Sequence, residues 1–235
     1  MFSGTPLEHP RFYTTSAGWE QKLGDRSRFG VNFTHRQGRL GLVYDKVESD
    51  PSENQFVLQS NRRDRYRSFQ ISFQHQFSDK ASLTANHTVS STWTNRVFDY
   101  TLDTLVFSQQ ESGPPVWDAP HRFVSSGWAP APLWDLLLSY HFEYRTGFPF
   151  SLVNERQQLV GRANSFRYPD YASLNAGIEK RFKFITREWA VRFTIINLIS
   201  RENPDSVINN IDSPNFLKFA GGQKRSFTIR IRLVG

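Results

Sequence analysis

The stretch EWAVRFTIINLI, from Glu188 to Ile199, decides the fold class. In an extended backbone its apolar side chains point to one side and its polar side chains to the other, and this period of two is typical of a strand with two unlike faces. The apolar set is Trp189, Val191, Phe193, Ile195 and Ile199, and the polar set is Glu188, Arg192 and Thr194. Because the pattern recurs over lengths of about ten residues, it predicts strands that cross a membrane at a tilt.

The same alternation runs through most of the chain. Gly38 fits either a bulge inside one long strand or the tip of a hairpin. In total we expect about nine strands. The alternating stretches outside the opening one are residues 11–20, 28–36, 39–44, 66–77, 82–93, 121–128, 134–145, 172–182 and 227–233.

The connections between these stretches alternate in length. Short turns lie near residues 24, 79, 130 and 185, and long loops near residues 50, 105, 158 and 210. Outer-membrane barrels show this asymmetry, with short periplasmic turns and long external loops. The sequence therefore predicts an all-β protein, an antiparallel up-and-down transmembrane β-barrel that is partial, with about nine strands of a larger barrel.

Composition narrows the class of protein. Hydrophobic residues make up 38% of the 235 residues and no run approaches 18 apolar residues, which excludes a helical span. The aromatic content of 15% suits the girdles of a barrel. The net charge of +7 is spread along the sequence in short runs, so nucleic-acid binding is not expected.

Eight charged residues are predicted to line the polar interior of such a barrel. Burying this many charges in a dry core would cost several kcal/mol each unless they were paired, whereas a wet or plug-filled lumen accommodates them. A one-sheet antiparallel domain with this face in water is the alternative. The eight are Glu143, Arg145, Glu179, Arg181, Glu188, Arg192, Arg230 and Arg232.

Catalytic and metal-binding patterns are not found in the sequence. The six histidines form no HExxH pair, and neither a nucleophile elbow nor a phosphate-binding loop occurs. Asp118 and His121 suggest a dyad, but no nucleophile accompanies them. We expect no enzyme activity, no cofactor and no metal; Phe148, Tyr168 and Tyr171 are the loop residues expected to touch a ligand.

The segment SGPPVWDAPHRFVSSG, from Ser112 to Gly127, resembles a stretch of TonB-dependent outer-membrane receptors, especially the Oar-like members with a carboxypeptidase-regulatory-like N-terminal domain. Further stretches agree in order: the hairpin over 66–93, RTGFPFS at 145–151, LNAGIEKRF at 174–182 and FTIINLISRENP at 193–204. The residues that fall on the family's PHRF motif are Asp118, Pro120, His121, Arg122 and Phe123.

The resemblance implies a position within a larger protein. These motifs lie in the last part of the family's barrel of about 22 strands. Residues 1–235 are therefore expected to be a single C-terminal barrel segment, without the plug domain, the first strands or a signal peptide. The expected location is the bacterial outer membrane. The implied function is import of a bulky nutrient of the siderophore, oligosaccharide or peptide class.

The expected partners follow from the same resemblance. They are outer-membrane lipid and lipopolysaccharide, the barrel-assembly machinery, and the plug domain and TonB of an intact receptor. Two alternatives stay open. One is a small autonomous porin-like barrel, which must close its own edges. The other is a soluble β-domain that binds polyanions through its arginines.

Overall fold

A computed structural model describes residues 6–46, 56–97 and 112–234 of the chain. Nine long strands form one antiparallel sheet, and six strands of two residues each pair within the loops. In chain order the strands are β1 (Arg11–Leu23), β2 (Ser27–Lys46), β3 (Phe56–Ser78), β4 (Ala81–Thr94), β5 (His121–Pro130), β6 (Leu136–Arg145), β7 (Pro149–Phe150), β8 (Leu152–Val153), β9 (Leu159–Val160), β10 (Phe166–Arg167), β11 (Tyr171–Phe184), β12 (Arg187–Ile196), β13 (Ser206–Val207), β14 (Phe219–Ala220) and β15 (Ser226–Val234).

The long strands follow one another across the sheet in the order β1-β2-β3-β4-β5-β6-β11-β12-β15. This order confirms the predicted all-β, antiparallel, up-and-down arrangement and the number of long strands. The sheet is open, with β1 at one edge and β15 at the other. No helix within the described ranges is long and apolar enough to cross a membrane.

The connections alternate as predicted. Four short turns lie at one end of the sheet, at residues 24–26, 79–80, 131–135 and 185–186. The longer connections therefore leave from the opposite end, since each strand runs antiparallel to its neighbours. The predicted loop at residues 48–54 and most of the one near residue 105 lie outside the described residues.

The two faces of the sheet differ in chemical character over the middle of strands β2 to β5. The register aligns Asn32, Gln70, Thr88 and Arg122 in one row on the polar face. The adjacent row on the opposite face contains Phe33, Phe69, Val89 and His121. The alternation in the sequence therefore separates polar from apolar faces as predicted.

Two strand boundaries on the N-terminal side differ from the prediction. Gly38 lies in a bulge of one continuous strand, because the register of β2 against β3 shifts between Gly38 and Gly41 and again before Val43. Strand β3 begins at Phe56, ten residues before the predicted start at Tyr66. The intervening sequence has little apolar alternation, and it becomes a strand through its pairing with β2.

Two boundaries in the second half also differ. Trp134 was expected to open a strand but lies in the turn before β6, where it and Asp135 take positive φ angles of 62° and 49°. Strand β5 continues through Pro130, so the turn that was predicted near residue 130 begins at Ala131. Strand β12 ends at Ile196 because Asn197 turns the chain with a φ of 53°, which leaves Ile199 outside the strand.

Four of the seven buried apolar residues in the described part of the chain lie in the loops at the long-connection end. Strands β7 with β10, β8 with β9, and β13 with β14 form small antiparallel pairs there. Phe150, Leu152, Val153 and Ala163 are buried among them. The region predicted as a plain loop over 148–169 is therefore an ordered structure with its own small core.

Candidate functional site

The exposure of the sheet is inverted relative to a water-soluble domain. On the inner strand β11, the side of Ile178 is apolar and Ile178 is 43% exposed, while Glu179 on the polar side is 4% exposed. Phe69 on inner strand β3 is likewise 46% exposed, whereas Ser173 on β11 is 4% exposed. At these inner-strand positions the polar side is therefore the less exposed side, although longer side chains such as Arg181 stay about half exposed.

Glu179 is the centre of a charge cluster made by Glu179, Arg181, Arg192 and Arg232. Arg232 donates from Nη2 to both carboxylate oxygens of Glu179, at 2.9 Å and 3.2 Å. Arg181 donates from Nε to Oε1 at 3.1 Å, and the Nε of Arg192 lies 3.9 Å from Oε2. Three of the predicted interior arginines therefore surround one predicted carboxylate.

The small side chain of Ala190 makes this cluster possible. Strand β12 runs between β11 and β15, and Ala190 is aligned with Arg181 on one side and Arg232 on the other. Ala190 is 1% exposed because the long side chains of its neighbours cross above it. Arg232 thus reaches Glu179 across an intervening strand.

The other four predicted charges lie on the same face. Arg230 is aligned with Arg192 and lines a cavity of about 20 Å³ beside Glu179. Glu188 is aligned with Lys183 near the short-turn end. Glu143 accepts a hydrogen bond from Nε of Arg122 at 2.9 Å. The structure therefore brings all eight predicted residues to one face, with four of them in the charge cluster.

Arg145 and two predicted loop residues form a separate contact. The guanidinium carbon of Arg145 lies 3.8 Å from the ring centroid of Phe148 and 4.6 Å from that of Tyr171. Tyr168 instead packs against Phe150 and Phe219, at centroid distances of 5.1 Å and 5.8 Å. Phe148 and Tyr171 are thus engaged by a cation at the end of β6, while Tyr168 belongs to the core of the loops.

Asp118 of the family motif joins three segments of chain. Its Oδ1 accepts a hydrogen bond from the backbone N–H of Thr92 at 3.2 Å, and its Oδ2 lies 2.5 Å from Nη2 of Arg167. Arg167 also donates to the carbonyl oxygens of Asp118 and Gly147. The Asp118 side chain is 4% exposed, so this motif residue holds the loop at residues 112–120 against β4 and β10.

The remaining motif residues also hold chain segments together. The carbonyl oxygen of Pro120 accepts a hydrogen bond from the N–H of Ser90 at 2.8 Å. The N–H of His121 donates to Oγ1 of Thr146, and Phe123 packs against Phe142 on β6 at 6.1 Å between centroids. Arg122 is the partner of Glu143 described above.

The structure gives no dyad at Asp118 and His121. The carboxylate of Asp118 pairs with Arg167, and the ring of His121 stacks on His87 with 5.8 Å between centroids. The ring of His75 is bound by Ser27 at 2.7 Å. Across residues 6–46, 56–97 and 112–234, no three His, Asp or Glu side chains converge as metal ligands would.

A pocket of about 630 Å³ on the polar face was not foreseen from the sequence. It lies at the long-loop end of β1 to β4, and the loop before β5 closes one side with Trp117, which is 54% exposed. Its other walls include Phe12, Arg36, Tyr66, Gln70 and Arg122. The polar-face pattern places several of these residues on the right side, but only the register between strands gathers them.

Comparison with known proteins gives neither a matching family model nor a matching curated sequence. The resemblance to TonB-dependent receptors therefore depends on the residues quoted from this chain. Any function must explain the open nine-stranded sheet, whose apolar face is exposed at inner-strand positions and whose polar face carries the charges.

Proposed function

We propose that this chain forms part of the wall of an outer-membrane β-barrel, and that the barrel belongs to a TonB-dependent receptor that imports a bulky nutrient. The observation that carries the first part is the inverted exposure of Ile178 and Glu179, adjacent residues of one inner strand. The second part depends on the motif resemblance and on the open edges of the sheet.

The apolar face supports contact with lipid. Monomeric water-soluble proteins rarely expose contiguous apolar patches beyond a few hundred Å². Here exposed large apolar residues lie on this face in eight of the nine long strands, and they include inner-strand positions such as Phe69, Ile71 and Ile178. A covering layer of hydrocarbon explains such a surface, because only every second residue of a barrel strand faces lipid.

The height of the apolar band supports the same proposal. On β3 it runs from Phe77 at the short-turn end to Phe69, and Arg67 follows on the same face. From Arg67, the first charged residue beyond the band, to Phe77 there are ten steps along the strand, which span about 33 Å, or about 25 Å across a bilayer at a tilt of roughly 40°. That height is about that of the lipid-facing band of outer-membrane barrels.

The polar face supports a wet or plug-facing interior. Its N-terminal half carries hydroxyl and amide groups such as Ser68, Gln70 and Thr88, and its C-terminal half carries the charge cluster. A solute or a plug domain would meet this face together with the pocket closed by Trp117. In the proposed receptor the loops at the long-connection end lie outside the cell and make the first contact with the nutrient.

The open edges favour a larger barrel over the two alternatives. A small autonomous barrel requires β1 to pair with β15, and the sheet is open at both strands. An unpaired strand edge in a membrane leaves backbone N–H and C=O groups without partners, so further strands must cover both edges. A soluble polyanion-binding domain leaves the exposed apolar face unexplained.

Lipid contact can be tested by labelling single cysteines, because the chain has no native cysteine. A fluorophore is attached in turn at Phe69, Gln70, Ile71 and Ser72 after refolding the chain into phosphatidylcholine vesicles. We expect quenching by doxyl-labelled lipid at Phe69 and Ile71, and by a water-soluble metal quencher at Gln70 and Ser72. Equal access of the aqueous quencher at all four sites would refute the proposal.

Planar bilayers distinguish a wall segment from an autonomous pore. A segment whose edges need further strands gives no stable single-channel conductance alone. A reproducible discrete conductance from the 235-residue chain would instead favour the small porin-like barrel. TonB-dependent uptake by the refolded chain alone would contradict the assignment to a partial receptor barrel.

A further inference from the structure

Two arginines lie directly opposite each other on the polar face of the last two long strands. Arg192 of β12 is aligned with Arg230 of β15. The Cβ atoms of such a pair are about 5 Å apart, and like charges in this position destabilise a sheet. An anion near both guanidinium groups would remove this repulsion.

The carboxylate of Glu179 is already shared among other arginines. Arg232 binds both of its oxygens, and Arg181 binds Oε1. The Nε of Arg192 lies 3.9 Å from Oε2, which is too far for a hydrogen bond. With Arg230 beside the charge cluster, four arginines face this one carboxylate, so three positive charges are in excess on a small area.

The adjacent rows of β11, β12 and β15 do not balance this excess. Toward the short turn, Glu188 is aligned with Lys183, so that row adds no net charge. In the other direction, the row through Thr194 carries no charged side chain on these three strands. The excess of positive charge is therefore confined to the two rows through Glu179 and Ala190.

Arg192 and Arg230 have donors that find no acceptor in the described part of the chain. The Nε of Arg192 is shielded from solvent and makes no hydrogen bond there, although Nη2 of the same side chain donates to Oγ of Ser139 at 3.1 Å. The guanidinium of Arg230 has no hydrogen bond or ion pair within the same ranges. A guanidinium has five N–H donors and no acceptor, so only an accepting group can satisfy it.

A cavity of about 20 Å³ lies among these groups, and its lining residues are Glu179, Ala190, Arg192, Arg230 and Arg232. Because roughly 10–15 Å³ of such volume holds one water molecule, the cavity has room for one particle of about that size and not for a tetrahedral oxyanion. The carboxylate in the lining is already engaged, so the lining offers mainly donors and positive charge. A monatomic anion suits this lining better than water, which must also donate.

We infer that this cavity is a binding site for a chloride-sized monovalent anion, held by Arg192 and Arg230 with Arg232 at its border. The site needs only the polar face of β12 and β15, so the inference does not rest on the proposed function. Hydrogen bonds between a charged donor and a charged acceptor are the strong ones in proteins. The bound anion offsets part of the excess charge and links the edge strand β15 to β12 through side chains.

The site can be tested by chlorine NMR, because exchange with a protein-bound site broadens the signal of free chloride. The full chain is refolded in an uncharged detergent, and chloride is titrated against sodium gluconate at constant ionic strength. Arg230→Gln removes one expected ligand without touching the hydrogen bonds of Glu179. Lys22→Gln is the matched control, since it removes the same charge from an exposed position on the polar face of β1.

Wild type and Lys22→Gln should show the same saturable broadening. Arg230→Gln should bind chloride about tenfold more weakly, because a charge-assisted hydrogen bond is lost. Glu179→Gln should bind chloride several-fold more tightly, because it removes the negative charge beside the cavity. A merely structural role of these residues does not predict tighter binding. Bromide should displace chloride from wild type.

Three results would overturn the inference. Absence of saturable broadening in wild type would mean that the cavity holds water. Equal broadening in Arg230→Gln and Lys22→Gln would mean that chloride binds elsewhere. Displacement by sulfate as readily as by bromide would indicate an open basic surface. Tryptophan fluorescence checks that each variant is folded, and if Arg230→Gln does not fold, the displacement measurements on wild type decide.

Discussion

Arg232 binds both carboxylate oxygens of Glu179 although strand β12 lies between their strands. The Glu179 side chain is 4% exposed, and Arg181 and Arg192 approach its carboxylate from two other sides. The pairing fixes β11, β12 and β15 relative to one another through side chains as well as through the backbone ladder. It also places one negative charge among the three positive charges of the cluster.

Removing the charge of Glu179 should destabilise the C-terminal part of the sheet. We expect Glu179→Gln to lower the free energy of unfolding by about 2 kcal/mol, less than the roughly 3–5 kcal/mol of a fully buried pair, because the three arginine side chains are 40% to 53% exposed. Urea unfolding of the detergent-folded chain, followed by tryptophan fluorescence, measures it. Glu143→Gln is the control: it loses one exposed partner, Arg122, and should lower the free energy of unfolding by less than about 1 kcal/mol. Equal losses of stability in the two variants would contradict the special role of Glu179.

Filling the space at Ala190 should break the same contact sterically. Ala190→Leu places a branched side chain between Arg232 and Glu179, and overpacking of this kind costs about 1–3 kcal/mol. Ala176→Leu, at a position on the apolar face of β11, is the matched control and should change stability by less than about 0.5 kcal/mol. In a Glu179→Gln background the cost of Ala190→Leu should shrink, because neighbouring substitutions are not additive; full additivity would show that Ala190 acts independently of the charge cluster.

Asp118 should control the order of the loop before β5. Asp118→Ala removes the acceptor for the Thr92 amide and the partner of Arg167, so we expect a loss of about 3 kcal/mol in local stability, read as faster hydrogen exchange at Thr92. Asp118→Asn keeps an acceptor for that amide and should cost less. Asp212→Ala, which removes an exposed contact to the N–H of Glu155, should leave Thr92 exchange unchanged. Unaltered exchange in Asp118→Ala would mean that the loop is held by other contacts.

A methyl group at residue 147 should disrupt the small strand pairs in the loops. A Cβ on Gly147 would overlap the carbonyl group of Tyr168, and that backbone is fixed by the bond from the N–H of Tyr168 to the carbonyl of Phe148 at 3.0 Å. Gly147→Ala should therefore cost about 2–4 kcal/mol and expose residues 148–170 to protease. Gly18→Ala meets its nearest atoms at 3.5 Å, an ordinary contact, and should be neutral or slightly stabilising. Protease resistance equal to wild type in Gly147→Ala would refute this account.

Much of the sheet follows from local sequence. Strands β4, β11 and β15 were predicted to within a few residues, because alternation, Gly-containing turns and prolines act over short distances. The first ten residues of β3 were missed because their sequence has no alternating apolar set, and pairing with β2 determines their conformation. Trp134 was misassigned because an aromatic residue continued the apolar pattern into a tight turn.

The candidate site also has one part that the sequence predicts and another part that only the structure shows. The sequence placed Glu179, Arg192 and Arg232 on one face, which needs only the period of two. It could not show that Arg232 pairs with Glu179 across Ala190, since that depends on the register of three strands. The arginines also looked dispersed in the sequence, and no concentrated basic patch was foreseen.

The sequence by itself determined the strand type, the two unlike faces and the alternation of short and long connections, since these depend on neighbouring residues and on backbone geometry. Only the tertiary structure decided the register, and with it the charge cluster at Glu179, the pocket closed by Trp117 and the alignment of Arg192 with Arg230. The physical reason is that side chains from different strands meet according to how the hydrogen-bonded ladders align. A shift of one residue would turn each of them to the other face.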